Sequence, residues 1–141
     1  GSKGLFGSSG TNFEFATSNE LWRATLEVLD FLPLANVDYA GGIVITDWYN
    51  EGTSNEESIK ITIRFLSNEI RADGLKVIIY KKICKKNEKD NCKVIKDSST
   101  LGQEIKLAIL QKAATIKNSE VTKDQKEYTT TGSGIDAPSK Y

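Results

Sequence analysis

The sequence contains no histidine and no methionine, and it has only two cysteines and two prolines among its 141 residues. Histidine is the commonest general base of enzymes and the commonest metal ligand, so its absence argues against both functions. Two cysteines without a histidine cannot complete a tetrahedral zinc site within one chain. We therefore expect no enzymatic activity, no metal and no cofactor.

Long apolar segments are also missing, since no stretch approaches the roughly 18 consecutive apolar residues of a membrane-spanning helix. No signal peptide is visible, and the lack of an initiator methionine indicates a processed or truncated chain. The composition predicts three parts: a flexible arm rich in glycine and serine (1–14), a single α+β domain (15–118) and a disordered tail (119–141).

Charge is balanced overall, with 19 basic and 19 acidic residues, but it is unevenly distributed. Residues 1–75 hold 5 Lys and Arg against 11 Asp and Glu, and residues 76–141 hold 14 against 8. Eight lysines lie between Lys76 and Lys96. Such a segment is typical either of an anion-binding surface or of a solvated hairpin that lysines keep soluble. The candidate anion-binding residues are Lys81, Lys82, Lys85 and Lys86.

The first helical pattern runs from Leu21 to Leu32, where apolar residues recur at three- and four-residue steps. Pro33 is expected to end this helix because it has no N–H to donate. Thr17 and Glu20 have the spacing of a capping box, and Asn19 is an alternative cap. Trp22, on the apolar face, is expected in the core, with a ligand platform as the alternative.

The second helical pattern runs from Leu101 to Ile116, and Thr100 with Gln103 has capping-box spacing at its start. Asn118 and Ser119 are expected to stop this helix.

Three segments between the helices favour strands. Ser58–Phe65 alternates strictly between apolar and polar residues, which predicts one buried and one solvated face and hence an antiparallel sheet. Gly42–Tyr49 and Leu75–Ile83 have related patterns. In the first of these, Trp48 is predicted to share a face with Val44 and Thr46, and 36–42 is expected to be a turn.

Cys84 and Cys92 bracket a polar heptapeptide, and strand patterns lie on both sides of it. We predict a hairpin with the two cysteines opposite each other and joined by a disulfide. Alternation then places them on the side of Tyr80, away from the core. Two free thiols in a reducing compartment are the alternative.

Both helical stripes and the sheet need a cover, and the economical arrangement packs two helices on one face of the sheet. The predicted fold class is therefore α+β, with the two helices on one face of a three- to four-stranded antiparallel sheet.

Four segments of the chain together resemble a family of bacterial envelope lipoproteins of unknown function. They are LWRATL (Leu21–Leu26), FLPLA (Phe31–Ala35), GGIVITDWY (Gly41–Tyr49) and RADG (Arg71–Gly74). The Trp22 helix and the TDW strand are also distantly similar to the helix-grip domains of BamC, a lipoprotein of the outer-membrane β-barrel assembly machine.

The resemblance implies a helix-grip-like α-β-β-β(-β)-α fold and a non-enzymatic role. It also implies a periplasmic location, with anchoring to the outer membrane through a lipid attached upstream of this chain.

Two functions fit these observations. The first is a protein-interaction module whose partners are envelope proteins, with barrel-assembly components as candidates and Trp48 and Tyr49 as the contact residues. The alternative is an anionic lipid- or glycan-binding module that uses the lysine-rich hairpin 76–96. No nucleic acid is expected as a partner.

An enzyme is the third class, and Asp38, Asp47 and Asp73 are the carboxylates in suggestive positions. No nucleophile signature and no phosphate-binding loop accompany them, so the sequence favours a non-catalytic protein.

Overall fold

A computed structural model describes residues 19–50, 52 and 56–133 of the chain, with side chains as far as Lys123. The elements, in chain order, are α1 (Glu20–Val28), β1 (Leu34–Asp38), β2 (Ile43–Thr46), β3 (Glu57–Phe65), β4 (Leu75–Lys85), β5 (Glu88–Lys96) and α2 (Leu101–Ser133). The strands form one antiparallel sheet in chain order. The predicted α+β fold is confirmed, and the sheet has five strands where three or four were expected. The arm (1–14) and the Thr17 cap lie outside the described residues.

Strand alternation gives the sheet two different faces. The register aligns Val44 with Ile63 and Val77, and Ile61 with Ile79, on what we call the inner face. Both helices pack on this face, and their apolar stripes join it in a single core. The fully or nearly buried apolar residues are Leu21, Trp22, Ala24, Leu29, Leu32, Val44, Ile61, Ile63, Leu75, Ile79, Ile109, Ala113 and Ile116.

The alternative cap, Asn19, begins α1: its side-chain oxygen accepts the backbone N–H groups of Leu21 at 2.9 Å and Trp22 at 3.3 Å. These bonds satisfy donors that have no partner inside the helix. Trp22 is a core residue, only 3% exposed, and its ring stacks on Phe65 with 4.4 Å between centroids.

The expected end of α1 at Leu32 is wrong, because the helix ends at Val28. Leu29 and Leu32 nevertheless remain buried, since a turn closed by the Leu32 N–H and the Leu29 carbonyl points both side chains inward. The apolar period therefore does not distinguish the last helical turn from a non-helical one.

The predicted turn at 36–42 is wrong in its first half, because Leu34–Asp38 forms β1 at the edge of the sheet. All five residues are exposed, so they show none of the alternation that marks a half-buried strand. The turn itself is closed by the Gly42 N–H, which donates to the Tyr39 carbonyl at 3.1 Å. Gly42 has a φ of +67°, a conformation that glycine adopts without strain.

A β-bulge follows β2. Ile45 lies opposite Thr62, and Tyr49 lies opposite Ile59 in an isolated bridge. Three residues (46–48) therefore face only two on β3, and the extra residue reverses the alternation beyond it.

The side chain of Thr46 completes the bulge. Its hydroxyl accepts the Ile61 N–H at 2.9 Å and donates to the Asp47 carbonyl at 2.9 Å. The expectation that Trp48 shares a face with Val44 and Thr46 is wrong, because the bulge turns Trp48 to the outer face.

The β4–β5 hairpin closes through a two-residue turn at Lys86 and Asn87, and Asn87 has a φ of +64°. Asparagine is the residue that best tolerates this conformation after glycine. Cys84 lies opposite Cys92, and a disulfide joins them with 3.8 Å between their Cα atoms. Tyr80 shares their face, as predicted, so the bond lies outside the core.

The expected stop of the second helix at Asn118–Ser119 is wrong, because α2 continues to Ser133. No proline or glycine follows Ser119 until Gly132, so nothing in that stretch breaks a helix. Side chains 117–123 are exposed. Residues 119–133, expected to form a disordered tail, are thus helical, and 134–141 lie outside the described residues.

Two ion pairs link the helices: Arg23 pairs with Glu120, and the Lys112 Nζ lies 3.3 Å from a Glu27 carboxylate oxygen. At the start of α2, Thr100 does not form the expected capping box with Gln103. Its hydroxyl donates instead to the Glu104 carboxylate at 2.7 Å.

Candidate functional site

The outer face is the side of the sheet away from both helices, and no described element covers it. Cross-strand rows build it as a regular grid: Ile43–Arg64–Lys76, Ile45–Thr62–Ile78, Lys60–Tyr80–Lys96, Ser58–Lys82–Val94 and Cys84–Cys92. With ordinary strand spacings the grid is roughly 14 Å across and roughly 27 Å long. It combines aromatic, aliphatic and basic side chains on one surface.

Basic residues dominate the charge of this face. The register places five cations on it, namely Lys60, Arg64, Lys76, Lys82 and Lys96, against one acidic strand residue at the edge, Asp38. Among the described side chains, none of these five cations has a carboxylate oxygen within ion-pair distance. Their charges are therefore available to a partner.

Trp48 lies over the middle of the grid. The Lys82 Nζ is 4.5 Å from the centre of its ring and the Lys60 Nζ is 5.2 Å away, both within cation–π range. The Asp47 carboxylate accepts the Trp48 N–H at 2.8 Å and so helps to fix the backbone that carries the ring. The indole is half-buried among lysine side chains.

The structure does not bring the predicted contact residues Trp48 and Tyr49 together. Tyr49 lies on the inner face, half-buried against the core, and its ring meets the edge of Phe31 with 6.0 Å between centroids. Adjacent aromatics thus belong to two different surfaces.

The four lysines predicted as an anion site are also separated. Lys82 is on the outer face, whereas Lys81 points to the inner side. There the Lys81 Nζ lies 3.8 Å from Asp97 and 3.9 Å from Glu57, which offset its charge. Lys85 and Lys86 are exposed at the hairpin tip. The predicted cluster is therefore not one site.

Sequence reasoning missed the outer-face residues Lys60, Arg64, Tyr80 and Lys96 as a group. The signal was present, because the polar positions of an alternating strand share one face. Combining the strands needs their register, which only the hairpin at the cysteines revealed.

One of the two edges of the described sheet, the edge at β1, forms a second surface. In the described sheet β1 has a neighbour on one side only. Phe31, Leu34 and Val37 are 67%, 39% and 45% exposed, respectively. An edge strand with exposed apolar side chains can pair with a strand from another chain.

The lysine of the inner side, Lys81, lies in an open cleft of about 260 Å³ at the start of α2. Tyr49, Ile59 and Leu101 supply its apolar lining. Lys81 is the cation among the described lining residues, and it is already paired with Asp97 and Glu57, so these residues offer no unpaired cation to an anionic ligand.

The three suggestive carboxylates each bond within their own segment. Asp38 accepts the Gly41 N–H at 2.9 Å, and Asp47 accepts that of Trp48. Asp73 forms two bonds of 2.8 Å with the Arg71 guanidinium, which lower the pKa of Asp73 and raise that of Arg71. These bonds are typical of turn geometry.

The RADG segment forms a turn at the start of β4. The Gly74 carbonyl accepts the Leu66 N–H at 2.9 Å, and Gly74 itself is buried. A side chain there would meet the Glu69 carbonyl oxygen at 2.7 Å. The glycine is therefore required by close backbone approach.

Within the described part of the chain, no group of three acidic or cysteine side chains is arranged to hold a metal ion. The helices described there include none that is both long and apolar enough to cross a bilayer.

Comparison with known proteins identifies the family. Residues 15–118 match the model of a domain of unknown function, DUF3576. The chain belongs to this family. The DUF3576 domain thus contains the sheet, α1 and the core-facing half of α2.

An uncharacterised protein of Rickettsia prowazekii (strain Madrid E) is 38% identical over 68 residues, which is 48% of this chain and 41% of that protein. The chain therefore spans less than half the length of this curated relative.

Proposed function

We propose that this DUF3576 domain is a non-catalytic protein-interaction module of the cell envelope. The observation that carries the proposal is the exposed β1 edge of the sheet, which presents Leu34 and Val37 beside Phe31. Backbone groups along such an edge can bond to an incoming strand, and exposed apolar side chains add contact area. Edge strands of soluble proteins are usually protected against such pairing.

The location is part of the same proposal. The resemblance to envelope lipoproteins supports a periplasmic domain that a lipid on the preceding chain anchors to the outer membrane. The disulfide between Cys84 and Cys92 is compatible with an oxidising compartment. Components of the β-barrel assembly machine are the candidate partners, on the strength of the distant similarity to BamC.

Site-specific photo-cross-linking in intact cells tests the proposal. A cross-linker at Val37 or Leu34 should trap a defined envelope protein, because both positions lie along the β1 edge. A cross-linker at Lys117, exposed on the distal part of α2, is the control and should trap little. Equal trapping at all three positions, or none at the edge, would count against the proposal.

Charge at the edge provides a second test. Val37→Lys should reduce the specific cross-link formed from position 34, because the incoming strand would have to bury part of the lysine side chain. Leu66→Lys is a matched control, since Leu66 is 63% exposed but lies outside the strands. Loss of the cross-link in both variants would show that the effect of the added charge is not specific to the edge, and it would count against β1 as the contact.

A second candidate function is binding of an anionic lipid or glycan. The specific observation in its favour is the unpaired basic charge of the outer face, with Trp48 at its centre. It involves a surface different from the β1 edge, so both functions are compatible in one domain.

A further inference from the structure

We propose that the outer face of the sheet docks on a membrane surface that contains anionic phospholipid, with Trp48 entering the headgroup region. The inference rests on the second proposed function and names its ligand. It places the binding surface on the outer face of the whole sheet, to which the lysine-rich hairpin contributes Lys76, Lys82 and Lys96.

Charge complementarity is the first argument. The chain as a whole is neutral, yet the face carries five basic strand residues and one acidic one. Segregation of this kind creates a local potential that net charge does not reveal. Basic residues near an anionic bilayer each contribute favourably, without needing a shaped pocket.

The shape of the face is the second argument. The grid of cross-strand rows is broad. Among the described residues, the clefts at the start of α2 and at the hairpin tip do not include Trp48, Lys60 or Lys82, although one of these clefts borders the grid at Lys76, Ile78 and Lys96. A broad basic surface with no cleft at its centre fits an array of headgroups better than it fits a single glycan, which would need directional hydrogen bonds from a concave site.

The side chains between the cations are the third argument. Trp48 and the 38%-exposed Tyr80 are of the aromatic types that are enriched where proteins meet the membrane interface. Ile45 and Ile78 belong to the row between those of Tyr80 and Arg64. Lys60 and Lys82 flank the indole, so their charged ends can reach phosphates while their stems lie along apolar surface.

The resulting picture is consistent with the first proposed function. A domain lying with its outer face on the membrane has its helices away from the bilayer. The β1 edge then lies at the side of the sheet, where a protein partner can still approach it.

The test measures co-sedimentation of the full chain with vesicles. Vesicles of phosphatidylcholine with about 30% phosphatidylglycerol should bind the protein, and pure phosphatidylcholine should bind it weakly. Raising the salt from about 0.05 M to about 0.5 M should release it, because the screening length falls severalfold.

Matched charge variants locate the surface. Lys60→Gln, Lys82→Gln and Lys96→Gln together should weaken binding about a hundredfold, at about fivefold for each charge lost. The control removes the same charge from positions off the face: Lys93→Gln, Lys117→Gln and Lys123→Gln. It should retain most of the affinity, and the thermal melting curves of both variants should match that of the wild type.

Tryptophan fluorescence reports the depth of Trp48. Brominated phospholipid in the vesicles should quench part of the emission, and Trp48→Phe should abolish the quenching. The remaining indole, Trp22, is 3% exposed in the core and out of reach of lipid.

Several results would overturn the inference. They are no binding to anionic vesicles, equal binding to neutral ones, and equal losses in the two charge variants. Binding of heparin or an oligonucleotide without vesicle binding would assign the face to soluble polyanions instead. Loss of vesicle binding in Lys85→Gln with Lys86→Gln, but not in the outer-face variant, would move the site to the hairpin tip. None of these outcomes affects the cross-linking test at β1.

Discussion

Thr46 illustrates how a single hydroxyl can substitute for a strand hydrogen bond. The residue is fully buried, and its Oγ1 serves the Ile61 N–H, which the bulge leaves without a backbone partner. A buried N–H without an acceptor costs about 1–3 kcal/mol. By accepting this N–H, the hydroxyl removes that cost and allows the bulge to lie inside the core.

Replacing Thr46 by valine keeps the shape but removes the acceptor, so we expect a loss of about 1–3 kcal/mol in the free energy of unfolding. Thr46→Ser keeps the acceptor and should lose less. Denaturant unfolding of the two variants provides the measurement, and equal stabilities would show that the hydroxyl is dispensable.

Gly74 is a second position where the stability of the fold depends on a single contact, here the close approach of the Glu69 carbonyl oxygen. Gly74→Ala places a methyl group 2.7 Å from the Glu69 carbonyl oxygen, a backbone atom that cannot move without disturbing the turn. We expect about 1–3 kcal/mol of destabilisation. Gly41→Ala is the milder comparison, because the new methyl group meets the end of the Asp38 side chain, which can turn away with the loss of its hydrogen bond to the Gly41 N–H. Thermal unfolding should separate the two variants clearly.

Among the elements, the β4–β5 hairpin carries a covalent link that the core does not need. Its disulfide lies on the outer face and closes a loop of separation 8. In the chain-entropy model, closing a loop this short contributes about 2.5 kcal/mol.

The double variant Cys84→Ser, Cys92→Ser should therefore fold, with a free energy of unfolding lower by at most about 2.5 kcal/mol. Circular dichroism and denaturant titration would measure this. Failure of the variant to fold would mean that the hairpin contributes more to the core than its exposure indicates.

The second helix divides into a packed half and a distal half. Ile109, Ala113 and Ile116 are buried in the core, whereas 117–123 are exposed. Removing residues 124–141 should leave the melting temperature nearly unchanged and keep the Arg23–Glu120 ion pair. Ile109→Ala, within the packed half, should cost about 2–5 kcal/mol. A large drop on truncation would contradict this division.

At the scale of the whole molecule, the sequence predicts what depends on local periodicity. The stripe beginning at Leu21, the alternation of Ser58–Phe65 and the pairing of Cys84 with Cys92 are all recovered in the structure. Each depends on neighbours within one element or one hairpin.

What the sequence does not predict depends on longer range or on weak signals. β1 is too short and too exposed to show a pattern, and the bulge at 46–48 is defined only by its pairing with β3. The sequence does not predict the candidate site for the same reason. Its cations come from β3, β4 and β5, and only the register of these strands brings them to one face.

Localisation is the prediction that belongs to the intact protein. If the proposed location is right, the protein in native cells should fractionate with the outer membrane. It should also resist extraction by high salt, because the proposed lipid anchor would hold it regardless of surface charge. Immunoblotting of fractionated cells measures this. Recovery in the cytosol would contradict both the location and the proposed partners.

The bulge has a consequence for how this segment can change. Side chains of a strand alternate between the inner and the outer face. The extra residue at 46–48 shifts this alternation by one residue before Tyr49. Substitutions leave this alternation intact, because they do not change the number of residues in the bulge. A substitution at position 48 therefore changes the side chain on the outer face but not the face to which the position belongs. Deleting Asp47 would close the bulge and leave Trp48 opposite Lys60 and Tyr49 opposite Ile59, both on their present faces.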